Sequence, residues 1–184
     1  SFDIINYLKK ERGATATDVA DEFDLSKSTA YNHLTTLLQC GYIIKEEQTY
    51  HIGLRFLNVA EFARRRKPGY RLAARKIQEL KEEIKSDIEF VVEDSGRIIS
   101  VYGTFSESER RRELGIDAGE YWTMHSTAAG KAILAEYSKE RVEEIIDQWD
   151  LERKTDQTIT TTDALFDELE IIREQGYAIA DEEW

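Results

Sequence analysis

The chain has 184 residues, a net charge of −12 from 37 Asp and Glu against 25 Lys and Arg, and one cysteine. This length allows two small domains, apolar runs of no more than core length exclude a membrane span, and one cysteine excludes an internal disulfide framework. The acid is unevenly spread: residues 1–67 carry 10 Lys and Arg against 9 Asp and Glu, and residues 68–184 carry 15 against 28. The first part is therefore open to a polyanionic partner that the second would repel.

Phe2, Ile4, Ile5 and Leu8 fall at helical spacing and open the chain with a helix. Residues 17–44, TDVADEFDLSKSTAYNHLTTLLQCGYII, then spell two short helices around a tight turn. The first is expected to start from an N-cap at Thr17 and to turn Val19, Ala20 and Phe23 inward. Asp24-Leu25 breaks the pattern and Ser26 caps the second helix. There Ala30, Leu34, Leu37 and Leu38 make one buried stripe, and Gly41 ends the helix in a left-handed cap, with Cys40 beside it as a small packing residue. The opposite face carries Lys27, Ser28, Thr29, Tyr31, Asn32 and Thr35, groups suited to phosphates and base edges in a major groove. Residues 42–45 and 50–53 read as a hairpin around Glu46-Glu47-Gln48-Thr49, completing a winged helix-turn-helix over residues 1–53. Glu46 and Glu47 at the wing tip would repel phosphate.

Residues 54–67 read as a connector helix that stops at Pro68-Gly69, so that 54–69 forms a linker, and a second helix runs over 70–85. The run Arg64-Arg65-Arg66-Lys67 is open to two roles, phosphate contact or a solvated helix end. From Ile88 the period becomes two, giving paired strands IEFVVED and RIISVYG around Ser95-Gly96. Residues 121–136 pass from a short strand into a helix whose first turn, 126–130, is made of small residues. A helix through Val142, Ile145, Ile146 and Trp149 follows, then a Thr-rich extended piece, a helix over 163–175 ending at Gly176, and a strand YAIAD. The fold class is α+β, with a mixed sheet flanked by helices.

His33, His51 and His125 are too scattered to form a metal cluster, and His125 beside Ser126 lacks the Gly-x-Ser-x-Gly elbow of a nucleophile, so no metal, cofactor or catalytic residue is expected. Lys131 is placed to meet a ligand or an acidic neighbour.

Three segments, LSKSTAYNHLTTLLQCGYI, MHSTAAGKAILA and TITTTDALFDELEIIREQGYAIADEE, resemble in order and spacing the motifs of the IclR family of transcription regulators. The resemblance implies a cytoplasmic, non-enzymatic regulator that binds a double-stranded DNA operator as a homodimer or dimer of dimers through the linker helix. It also implies a GAF-like effector-binding domain over 70–184 for a small metabolite, a carboxylate above all. Relatives continue for several dozen residues past the position of Trp184 and close the pocket, so this domain is expected to be truncated. The implied effector wall comprises Ser126, Thr127, Ala128, Ala129, Ala180 and Asp181, with backbone at Ala128 and Ala129 touching ligand, and an acidic position of some members falls here on Ala180; Leu114, Ile116 and Met124 read either as an apolar wall of this pocket or as core packing. Asn32 stands where bacterial relatives usually carry Arg, which changes the bases read. The alternative is a metabolite-binding or enzymatic protein whose helix-turn-helix serves as a protein-interaction module.

The acid surplus is that of a protein kept soluble in concentrated salt, as in halophilic archaea, because carboxylate repulsion is then screened within a few ångströms. Circular dichroism should find the chain unfolded in dilute buffer and refolded in molar KCl; full structure at low salt would refute this.

Overall fold

The computed structural model describes residues 2–84, 86–103 and 119–184. The chain divides into two compact units, Ser1–Lys67 and Pro68–Trp184.

The first unit holds α1 (Phe2–Lys10), β1 (Ala14–Thr15), α2 (Ala16–Glu22), α3 (Lys27–Gln39), β2 (Ile43–Glu46), β3 (Thr49–Ile52) and α4 (Arg55–Arg65). Its strands form one antiparallel sheet in the order β1-β3-β2. The core gathers Ile4 and Leu8 of α1, Val19 and Ala20 of α2, Ala30, Leu34 and Leu37 of α3, and Ile43 and Tyr50 of the hairpin. The stripe expected on α3 is thus the seam of the unit. The cap of α2 differs from expectation: it is Thr15, not Thr17. Thr15 Oγ1 accepts from Asp18 N–H at 3.2 Å while the Asp18 carboxylate accepts from Thr15 N–H at 2.8 Å. This reciprocal pair satisfies two donors at the helix start, and the bond from Thr15 holds the Asp18 pKa below the usual carboxylate value. Cys40 is exposed, since Gly41 at φ +72° turns the chain away from the core just after it. Helix α4 is docked at its start, where Arg55 Nη1 donates to the Cys40 carbonyl at 2.6 Å and Phe56 packs on Tyr42 at 4.9 Å.

The second unit holds α5 (Pro68–Glu83), β4 (Glu89–Asp94), β5 (Arg97–Gly103), β6 (Tyr121–Trp122), α6 (Ala128–Ala135), α7 (Lys139–Trp149) and α8 (Thr162–Gln175). Helix α5 begins at Pro68 rather than Tyr70, because proline's fixed φ and missing N–H suit a first helical position. The sheet was expected to be mixed, but the described strands are antiparallel throughout, in the order β4-β5-β6. The cause is local: Ser95 and Gly96 take φ of +57° and +80°, a two-residue turn that pairs β4 directly with β5. The core lies between β5, α6, α7 and α8, with Ile98, Leu134, Val142, Leu165 and Leu169 almost wholly buried. Residues 177–181 do not form the expected strand. The tail is held by side chains instead: Thr155 Oγ1 donates to the Glu182 carbonyl at 2.5 Å and Thr158 Oγ1 to the Glu183 carbonyl at 2.7 Å.

Two glycines separate steric from conformational need. A Cβ on Gly130 would be driven into the backbone of Met124, whereas one on Gly176 meets open space and pays only for φ of +80°. Urea unfolding of the full chain should therefore show a loss of about 3 kcal/mol for Gly130→Ala and about 1 kcal/mol for Gly176→Ala; equal losses would contradict the packing.

Candidate functional site

Two features gather the residues that the sequence singles out, one in each unit. In the first, Ser26 caps α3 by accepting from Thr29 N–H at 3.1 Å, and its hydroxyl also bonds the Thr29 hydroxyl at 2.8 Å. The Thr29 hydroxyl is therefore engaged in holding the helix start. Lys27, Ser28, Tyr31 and Asn32 are exposed along the same face, and Thr35 is half-buried lower on it. Neither the Tyr31 hydroxyl nor the Asn32 carboxamide bonds a described residue, while Thr36 Oγ1 donates to the Asn32 carbonyl and fixes that turn at 2.9 Å. Gln39, two turns beyond Asn32, is also exposed on this face; its helical offset of seven residues was the signal that could have added it. At the wing, Lys45 lies over the Tyr50 ring, Glu46 sits 4.0 Å from His51 Nε2, and Glu46 and Glu47 are both exposed at the tip. Of the basic run, Arg64 and Arg65 both reach Glu61, at 3.4 and 3.3 Å.

In the second unit, a cavity of about 400 Å³ opens at the start of α6. Its wall includes Ser126, Thr127, Ala128, Ala129 and Ala180, with Val91, Ile98, Trp122 and Trp184 as apolar surface and Glu89, Glu182 and Glu183 as acidic groups. Small side chains at the first turn leave the helix N–H groups approachable, and the N-terminus favours negative charge. Thr127 caps the helix, accepting from Gly130 N–H at 3.2 Å. Of the two places open to Met124, this wall or the core, it takes the core, 2% exposed, because the close approach of Gly130 locks its backbone beneath α6. Asp181 is absent from this wall and faces a neighbouring polar depression beside Lys131 and Glu168. Leu114 and Ile116 lie outside the described residues. The sequence reading missed Trp122, Trp184 and Glu183, whose roles depend on chain segments far apart.

Lys131 is 1% exposed and donates to Glu168 at 2.9 Å and Glu183 at 2.7 Å. His125 and Ser126, adjacent in sequence, have separate partners: the ring Nε2–H donates to the Glu152 carbonyl at 3.1 Å, and the serine hydroxyl bonds Thr123 Oγ1 at 2.5 Å. A second depression, of about 850 Å³, has mostly charged walls, and its Arg173 is engaged with the carbonyls of Ala135 and Tyr137. No group of His, Cys, Asp or Glu among the described residues is arranged to hold a metal ion, and no described helix is long and apolar enough to cross a membrane.

Residues 1–47 match the IclR helix-turn-helix domain, and residues 69–184 match the bacterial transcriptional regulator IclR C-terminal domain. The chain belongs to the IclR family. Along its whole length it is 33% identical to a probable HTH-type transcriptional regulator, ArcR, of Halobacterium salinarum, of which it covers 70%. The chain spans between 60% and 70% of the length of the first curated relatives it matches. Among solved structures, the IclR of Thermotoga maritima is similar over 93% of this chain and 69% of that one, at 25% identity and a TM-score of 0.74. An IclR homologue from Microbacterium hydrocarbonoxydans, solved in complex with 4-hydroxybenzoate, shares the fold over 91% of this chain and 69% of that one, at 19% identity and a TM-score of 0.69. Membership of the family accounts for a winged helix-turn-helix and an α+β effector domain in one IclR chain.

Burial holds the His125 pKa below the usual histidine value, with the Glu152 carbonyl pulling weakly the other way. Below about pH 6.5 the unfolded chain binds a proton that the folded chain refuses, so stability falls with falling pH by up to about 1.4 kcal/mol per unit until the folded pKa is reached. Denaturant titrations at pH 7.5 and 5.5 should show this loss in the wild type and a smaller one in His125→Gln; identical losses would exclude His125 as the source.

Proposed function

We propose that this chain acts in the cytoplasm as a homodimeric transcription regulator, not an enzyme, whose grip on a palindromic operator is set by a small carboxylate in the α6 cavity. The observation that carries the reading is the exposed hydrogen-bonding face of α3, where the Tyr31 hydroxyl and Asn32 carboxamide bond no described residue, on a helix fixed at its start by Ser26. Lys27 and Ser28 meet phosphates, while Tyr31, Asn32 and Thr35 lie nearest the bases, Asn32 being able to pair bidentately with adenine. Thr29 contributes mainly through the cap. Support for the dimer comes from α4 and its N-cap Leu54, where Leu54, Leu57 and Phe62 are exposed at 81%, 62% and 75%; large apolar side chains left in water on an amphipathic helix are ones that assembly covers.

The effector reading rests on the cavity at the α6 N-terminus, where Ser126, Thr127, Ala128, Ala129 and Ala180 meet and a carboxylate gains both free N–H groups and the helix dipole. An effector that prefers one linker geometry changes operator affinity, and DNA changes effector affinity by the same factor. The 4-hydroxybenzoate bound by the Microbacterium homologue is an acid of fitting size for a cavity of this volume.

Selection of bound fragments from the source genome, followed by sequencing, should return a shared palindrome upstream of a few operons. Asn32→Ala should cost about 1–3 kcal/mol on that operator and leave affinity for random DNA unchanged. Equal loss on both would refute base reading by Asn32. No enrichment over input would favour the helix-turn-helix as a protein-interaction module, and a monomer in sedimentation equilibrium would refute the dimer.

A further inference from the structure

The α6 cavity is unevenly supplied with donors and acceptors. Ser126 Oγ is bound to Thr123 Oγ1, and Thr127 Oγ1 donates to the Thr123 carbonyl at 3.1 Å while accepting from Gly130 N–H. Both hydroxyls that line the cavity are already engaged. The backbone donors left for a ligand are the N–H groups of Ala128 and Ala129 in the first turn of the helix, which have no intrahelical partner, and the lining residues Trp122 and Trp184 each carry an indole N–H as well.

Glu183 lies between this cavity and the neighbouring depression that holds Lys131 and Glu168, lines both, and is an acceptor. It is 8% exposed; Oε1 accepts from Lys131, and Oε2 is buried with no partner among the described residues. Lys131 also serves Glu168, so one ammonium answers two carboxylates and the trio keeps a surplus negative charge. Buried carboxylate oxygens without a donor are costly and rarely left so. Each oxygen of a carboxylate accepts on its own account, so a donor that reaches Oε2 can pair with it while Oε1 stays on Lys131. Tail position is not the free variable, because Thr158 holds the Glu183 carbonyl at 2.7 Å.

We propose that Glu183 selects the effector, and that the cavity takes a small carboxylate bearing a second group that donates a hydrogen bond, a hydroxyl or an ammonium. The carboxylate sits on the N–H groups of Ala128 and Ala129, the donor sits on Glu183 Oε2, and Val91, Ile98 and Trp122 cover the carbon skeleton. This rests on the reading of the cavity as the effector site. A plain acid leaves Oε2 unpaired, and a keto acid sets an oxygen against it; a site built around a hydrogen bond rejects both for that reason.

The test is calorimetric titration of the full chain with matched sets: lactate, alanine, propionate and pyruvate, then 4-hydroxybenzoate, 4-aminobenzoate and benzoate. In a set that binds, the donor-bearing acids should bind about tenfold tighter or more than the plain and keto acids, and the hydroxy and amino members tell which donor is preferred. Glu183→Gln keeps an acceptor for Lys131 and puts an amide donor in place of Oε2, so it should erase the lead of lactate over pyruvate, since a hydroxyl can also accept, and reverse that of alanine, whose ammonium cannot. Equal affinity within the sets, or an order unchanged in Glu183→Gln, overturns the role of Glu183 and leaves the effector site standing. Failure of every acid to bind overturns the effector site itself and this inference with it. If circular dichroism shows that Glu183→Gln does not fold, the wild-type ratios decide alone.

Discussion

The ammonium group of Lys131 is the constraint on which the second unit is organised. Taking a charge out of water costs several kcal/mol, and the fold recovers this only by bringing carboxylates to it with good geometry. The two that arrive come from α8 and from the tail, 37 and 52 residues away. Bringing Glu168 to the lysine sets α8 against α6, and bringing Glu183 there draws the tail past the first turn of α6. The cavity wall is a by-product of that requirement: Ala180, Glu182 and Trp184 line it because Glu183 must reach inward. Thr155 and Thr158 give the tail carbonyls the donors that a strand partner would otherwise supply.

The first unit solves a simpler problem by local means. Each helix of the pair carries its own cap, Thr15 with Asp18 and Ser26 with Thr29, so the turn between them is fixed before tertiary packing is counted. Apolar residues on α1, α2 and α3 then need only one seam to close. Because the seam consumes the aliphatic side chains of α3, its other face is left to short polar groups.

What could be read in the sequence follows from this contrast. The helix pair, the hairpin and the small-residue start of α6 were legible because their signals lie within a few residues: period, cap and turn. Thr15 was legible too, through the Asp three residues after it, but a second threonine at position 17 offered a competing cap. Lys131 was legible as a lysine with unusual neighbours, yet its partners were not, since no local pattern links residues 37 and 52 apart. YAIAD reads as a strand by alternation, and local alternation does not say whether an edge is free to pair with it. Met124 stood beside the small residues of the cavity wall in sequence, and only the contact with Gly130 sends it under the helix instead.

One further consequence follows from the makeup of α3. Its sequence, KSTAYNHLTTLLQ, contains one Lys and no Arg, the cation being Lys27. A helix that grips a polyanion mainly through cations displaces part of the ionic atmosphere around it and loosens steeply as that atmosphere thickens. In molar salt, charge is felt over only about 3 Å, so attraction at a distance is lost. Amide and hydroxyl contacts act at touching range and are not screened in this way. A reader of this kind gives up speed of capture in exchange for a grip that varies little with the salt around it.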